Sequence, residues 1–256
     1  MAAATQDMLR KEVMQFEPVM QQSYLQKQFD RTFHPIATIT PGSPIELFVK
    51  NAAKLYLDLN NFRFMGLCQI VLKNKTNMPA GDTCKSGVVN LYLHSMFKEV
   101  TELLNNKTVS DPSNMYAYRS YLETLLNCNG NIQNYRLKSE RWHKDKHDKM
   151  DKAEQKDNTG LVERKNYCTE SPDIVLIRRL HADVFHIDKL IPPGIDMSVK
   201  FMLNDDKFFI MSSNRDNLGP KVVIVNMILV ICTKQLCDAA ELAHQTLIGD
   251  INMPLP

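Results

Sequence analysis

The feature that most constrains this chain is a succession of short apolar runs, most of them closed off by Pro, Gly, Asn or Asp. In order they are FHPIATI (33–39), IELFV (45–49), LYLDL (55–59), GLCQIVL (66–72), VVNLYLHSMF (88–97), DIVLIRR (173–179), HADVFHI (181–187), IDMSVKFML (195–203), KFFIMS (207–212) and VVIVNMILVIC (222–232). Runs of this length and composition, bounded by turn formers, read as strands. About ten strands with one convincing helix among them argue against alternating strand–helix units. They predict a mainly β fold, a sandwich, jelly roll or barrel. The run at 222–232 is the longest, about eleven residues where a membrane span needs roughly 18 to 20, and is expected to be a fully buried strand.

The one convincing helix is NMYAYRSYLETLL, 114–126. Tyr118, Leu122 and Leu125 fall at i, i+4 and i+7, with Tyr121 and Leu126 flanking them, which is the spacing of an amphipathic helix laid on a core. Ser113 or Asn114 is placed to cap its start, and Asn129-Gly130 to supply a left-handed residue at its end. Residues 139–158 break the β pattern: twelve of the twenty are charged, six basic and six acidic. With Asp145–Lys149 and Asp148–Lys152 at i, i+4, the segment reads as a solvated loop with some helix. Its balanced charge argues against a nucleic-acid arm, and so does a net charge of +2 on the whole chain.

No export signal is visible, since Asp7, Arg10, Lys11 and Glu12 interrupt the N-terminal stretch. Cys68, Cys84, Cys128, Cys168, Cys232 and Cys237 are scattered without a paired framework and are expected as free thiols of an intracellular, non-secreted protein, with the sequons at Asn74 and Asn106 unused. Templates for cupin, hydrolase, phosphate-loop and thiol–redox chemistry are missing, so no catalytic, cofactor-binding or metal-binding residue is assigned and the chain is not expected to be an enzyme. Two histidine groups have spacings found in metal sites. His143 and His147 stand at i, i+4, but Lys144 follows where a metalloprotease would carry Glu, and exposed rings without a third ligand are expected. His181 and Asp183 form an H-x-D pair that would share a strand face. With His244 they outline the 2-His-1-carboxylate set of a non-haem Fe(II) dioxygenase, which is kept as the alternative function. Against it, the tail QTLIGDINMPLP has no Lys or Arg to clamp an oxo-acid co-substrate.

Several blocks also resemble one family. GVVNLYLHSMFKEVTELLNNKTVSDPSNMYAYRSYLETLLN (87–127) is similar to the most recognisable block of the major capsid proteins of Polinton (Maverick) elements, the virus-like DNA transposons of animals, and of their adintovirus relatives. HPIATITPGSPIEL resembles the entry to that family's first barrel, WHKDKHDKMD its W-x-K-D...M-D stretch, NTGLVERK its N-x-G-L-x-x-R, and RRLHADVFHIDKLIPPGIDMSVKFMLNDDKFFIMSS its G-R-L-H-x-D segment. The blocks run in order over residues 33–248. The resemblance implies a double jelly-roll capsid protein, two eight-stranded barrels per chain and three chains per capsomer, in which H-x-D is structural. On it, residues 1–32 are an N-terminal arm and 33–238 one jelly roll, with a helix about 114–127 and a charged insertion about 139–160. Residues 239–256 are then a helix and tail leading, in the family, to a second jelly roll absent here. The expected role is that of a capsid subunit, truncated or domesticated, that self-associates and joins other capsid proteins in a virion. It would have no cofactor, small-molecule substrate, sequence-specific nucleic acid or membrane as partner. A host intracellular binding protein derived from the element is a further alternative.

Overall fold

A computed structural model describes residues 24–72, 77, 86–110, 113–139, 141–150, 158–212 and 219–250. The arm through residue 23, the Asn74 sequon, Cys84, Lys152 and the tail from residue 251 lie outside these. Contacts divide the chain into two units, 28–235 and a smaller one formed by its two ends, 1–27 with 236–256. In the smaller unit the Cys237 N–H donates to the Tyr24 carbonyl at 2.9 Å, just ahead of a helix over Asp238–Asp250.

The larger unit is a sandwich of two four-stranded antiparallel sheets. One has the order β1 (Leu25–Phe33), β10 (Pro220–Leu236), β3 (Leu55–Leu72), β7 (Ile174–Arg178); the other is β2 (Ile45–Val49), β8 (Met197–Leu203), β5 (Phe97–Leu104), β6 (Lys107–Thr108). A small third sheet pairs β4 (Ser86–Val88) with β9 (Ile210–Ser212). Setting that pair aside, the first strand lies beside the last, the second beside the seventh, the third beside the sixth and the fourth beside the fifth. This is one long hairpin wrapped over itself, the jelly-roll order.

The sheets are joined by aromatic packing. Phe64 of β3 stacks on Phe201 of β8 at 4.9 Å between ring centroids, and Phe97 of β5 meets Phe201 at 4.9 Å and Phe64 at 5.8 Å. Leu47, Val49, Leu57, Leu59, Val199, Leu229 and Ile231 complete a core from which water is excluded.

Several expected strands are drawn differently. Of FHPIATI only Phe33, the last residue of β1, lies in a strand; Pro35 makes one bridge to Leu47. LYLDL and GLCQIVL are the two ends of the single strand β3. Its pairing with β10 shifts between Ile231–Phe62 and Cys232–Asp58, so Leu59, Asn60 and Asn61 bulge out without ending the strand. The polar pair Asn60-Asn61 marks that bulge. VVNLYLHSMF is broken at Leu91, which is left-handed (φ 54°) and opens the short helix α1, Tyr92–Ser95. KFFIMS begins as helix α6, Asp206–Phe209, before β9. The run at 222–232 is not fully buried: Met227, Leu229 and Ile231 face the core, while Val223 and Val225 are exposed.

Candidate functional site

Between β6 and β7 the chain makes its long excursion. It holds α2 (Tyr116–Asn127), α3 (Gly130–Asn134), α4 (Arg136–Ser139) and α5 (Thr159–Asn166). The sequence places α2 correctly and its buried face wrongly. Tyr118, Leu122 and Leu125 are exposed, at 56%, 57% and 42%, as are Tyr121 and Leu126, whereas Tyr116, Ala117, Ser120 and Thr124 are buried. Small residues face inward because the side chains beneath are polar and close, and Ser120 and Thr124 satisfy their hydroxyls on α2's own carbonyls, Ala117 O and Ser120 O, at 2.9 and 2.8 Å. Neither Ser113 nor Asn114 caps the helix: Met115 stands at the N-cap with no side-chain bond. Asn129 accepts from the Ile132 N–H at 3.0 Å and so starts α3 rather than ending α2.

The polar face of α2 sits over a cluster of titratable groups. Buried His94 of α1 shares a 2.9 Å hydrogen bond between Nδ1 and the Tyr116 hydroxyl, and its ring meets His181 edge to face at 4.7 Å. His181 Nδ1 is 2.7 Å from Glu123, whose other oxygen accepts from Arg119 Nε at 2.7 Å, and Arg119 also pairs with Asp183. Burial pushes both imidazoles below their ordinary value, His94 far below, with Arg178 adding to it; at His181 burial outweighs the pull of Glu123. At Glu123 the order reverses, and the bonds from Arg119 and His181 outweigh burial and hold the carboxyl low.

This arrangement displaces the dioxygenase alternative. HADVFHI is not a strand: Asp183–His186 is a 3-10 turn, so His181 and Asp183 share no strand face, and each is engaged by a residue of α2. His244 lies on the C-terminal helix, in the smaller unit. Among the described residues no three His, Cys, Asp or Glu side chains gather where a metal ion would sit. His147 is exposed; His143, expected to be exposed as well, is half-buried, with Nε2 at 2.9 Å from the Tyr167 hydroxyl.

The second exposed surface is the outer face of the first sheet, which in a two-layer antiparallel sandwich is ordinarily polar. Ile177 of β7 pairs with Met65 of β3, which pairs with Ile228 of β10; one row on, Val175 pairs with Leu67. Val175 and Ile177 are 50% and 45% exposed, on the strand at the sheet's edge. Like the outward stripe of α2, which lies against β5 of the other sheet, they are exposed apolar residues of a kind found at interaction surfaces.

The fold has matches among solved structures. A chain from the Sputnik virophage structure superposes with a TM-score of 0.52 at 10% identity, over 91% of this chain and 50% of that one. The fold is a viral-type jelly roll. The mavirus major capsid protein (TM-score 0.42, 12% identity, 83% of this chain and 47% of that) and the capsid of PBCV-1 (0.45, 9%, 85% and 44%) also match. This chain therefore spans about half the length of the chains it resembles. No family model and no curated protein matches the sequence.

Within this jelly roll, the motifs singled out in the sequence are clamps on the long connection. Arg164, fully buried, donates through Nε to Val88 O at 2.7 Å, Nη1 to His143 O at 2.5 Å and Nη2 to Asp145 at 2.7 Å. Asn158 accepts from the Lys146 N–H at 3.0 Å and donates to Asp145 at 2.8 Å, so Asp145 turns inward rather than pairing with Lys149. A Cβ on Gly160 would stand 2.3 Å from Lys144 O, which only glycine avoids. Leu161 and Trp142 are buried beside them, and Arg179 ties the next segment to Asn60. None of these side chains was legible as a clamp from spacing, because the partners lie far apart in sequence.

Proposed function

We propose that this chain is a structural subunit of a virus-like capsid, one jelly roll of a double-barrel capsid protein of the Polinton type, and that it acts by assembly and not by catalysis. The jelly-roll match to the Sputnik virophage chain over 91% of the residues carries the reading. The apolar exterior supports it, since a shell subunit must bury surface against its neighbours, and repeated interfaces take their affinity from apolar patches with polar rims. Its partners are then copies of itself and other capsid proteins, a trimer being the capsomer the resemblance implies, and its place is the virion. No helix among the described residues is long and apolar enough to cross a membrane.

Sedimentation velocity across micromolar concentrations tests the reading, with wild type beside Leu122→Glu and Ile177→Lys. Concentration-dependent association that either substitution weakens is expected; a monomer at every concentration, or association indifferent to both, overturns it. Genomic DNA around the gene offers an independent check. A second jelly roll, a packaging ATPase, a capsid-maturation protease or a protein-primed polymerase nearby is the expected finding, and an ordinary host gene neighbourhood speaks against element origin.

A further inference from the structure

The segment DIVLIRR, 173–179, carries β7, which lies at one edge of the first sheet. An edge strand offers half of its backbone N–H and C=O groups to any second strand that can reach them, and proteins ordinarily blunt it with lysine, proline or a bulge. β7 has none of these: Ile174–Arg178 pair one for one with Cys68–Phe64 of β3, without a register shift. Among the described residues, Asp173–Ile177 make no backbone–backbone hydrogen bond beyond the β3 ladder. The other edges are handled differently. β2 receives the Ile36 N–H on Glu46 O at 2.9 Å and the Pro35 bridge at Leu47, β6 is two residues long, and β1 carries Lys27, Asp30 and Arg31.

The side chains of the segment alternate. Ile174, Leu176 and Arg178 are buried, whereas Asp173, Val175 and Ile177 are exposed and Arg179 is half-exposed. The outward row therefore reads Asp, Val, Ile, Arg, which is its own complement when run antiparallel. About a two-fold axis at Leu176, Asp173 stands opposite Arg179 of a second copy and Val175 opposite its Ile177. Residues so placed have Cβ atoms about 4.5–5.5 Å apart, close enough for an ion pair at each end and apolar contact between. Moving the axis to Val175 or Ile177 sets Asp173 against Ile177, or Arg179 against Val175, so the charges fix the register. The described bonds use only part of each ion: Gln69 donates to one Asp173 oxygen, Oδ1, at 2.6 Å, and Arg179 donates through Nη2 alone, to Asn60 and to Phe185 O. An apolar row also runs across the junction, from Leu67 and Val175 to Ile177 and Met65 of the second copy.

We propose that β7 is a docking edge for a second copy of this chain, the two strands pairing antiparallel about Leu176 and joining two four-stranded sheets into one. The contact is isologous, so both ion pairs and both Val–Ile pairs form together and the edge is closed to further strands. Self-complementarity selects a second copy over any other extended strand, for which the order of charges would be arbitrary. The proposal goes beyond the capsid reading and does not depend on it, since it says where copies meet and not what they build.

Sedimentation velocity of the full chain at micromolar concentrations, with hydrogen exchange read on the peptide spanning 173–179, is the test. Wild type is expected to dimerise, and the amides of that peptide to gain protection as concentration rises. Val175→Lys and Ile177→Glu, at exposed positions where folding is not at stake, are each expected to weaken the dimer at least tenfold. Mixed in equal amounts they are expected to recover most of that loss, because the new lysine then faces the new glutamate across the junction. Asp173→Arg, which sets like charges together at both ends, is expected to weaken the dimer several-fold. Recovery with amide protection separates edge pairing from packing of the two outer faces, which adds no backbone hydrogen bonds. A mixture no tighter than either variant alone, or exchange at 173–179 indifferent to concentration, overturns the proposal. So does a chain that stays monomeric, which leaves the edge to a strand of another protein. Association lost in Leu122→Glu but untouched by substitutions in β7 overturns this pairing and leaves the capsid reading standing.

Discussion

At the residue scale, Arg164 decides the most. Its three hydrogen bonds join β4, the charged segment and α5, and its charge is matched by Asp145 in a nearly water-free setting. Removing one partner of such a pair strands the other, so Arg164→Met is expected to cost about 3–5 kcal/mol, read from urea unfolding midpoints. His94 and His181 give the molecule a pH dependence of definite sign. Both imidazoles are depressed in the folded chain, whereas the unfolded chain protonates near 6.5. Stability should therefore be flat above that value. Below it, stability should be lost at up to about 1.4 kcal/mol per pH unit for each imidazole that stays neutral. Unfolding at pH 7.5 and 5.5 checks this, and His94→Phe should make the slope shallower whatever it does to the stability at pH 7.5.

At the scale of elements, α2 shows how an amphipathic pattern fixes a helix without fixing which side is covered. The test is a pair of substitutions: Leu122→Ser on the exposed stripe should change stability by no more than about 0.5 kcal/mol, while Ser120→Leu, at a fully buried site, should overpack and cost about 1–3 kcal/mol. The opposite ranking would mean that the apolar stripe is core. The β5–β6 hairpin makes a second case. Asn105 and Asn106 both have positive φ, 46° and 64°, and close a two-residue turn between Leu104 and Lys107. Asn106→Gly should be neutral or stabilising, and Asn106→Val should cost about 1–2 kcal/mol, because a β-branched residue resists that region.

At the scale of the whole domain, stability rests on the contact between two sheets, and the proposed assembly on what the sheets leave outside. Phe201 touches both Phe64 and Phe97 at the centre of the sandwich, so Phe201→Ala should cost about 3–5 kcal/mol, measured by calorimetry or urea unfolding. The exterior is a separate matter. Val175, Ile177 and the outward residues of α2 are exposed outside this core, and their burial against another surface, worth roughly 25 cal/mol per Å² of apolar area, would drive the proposed assembly.

The sequence by itself determined the class of fold, because period, turn formers and strand length are local properties. Ten apolar runs were enough for a mainly β fold, with sandwich, jelly roll and barrel still open, IELFV marks β2 residue for residue, and a helix was expected at 114–127 where α2 lies. None of the five described cysteines is in a disulfide. What the tertiary structure alone decided is everything that depends on partners distant in sequence. The bulge that makes one strand of LYLDL and GLCQIVL exists only in register with β10. His181 and Asp183 look like metal ligands until Glu123 and Arg119, about 60 positions earlier, take them up. The outward turn of α2 follows from the polar cluster beneath it, and Glu102 is an ordinary alternating residue until the sandwich closes over it.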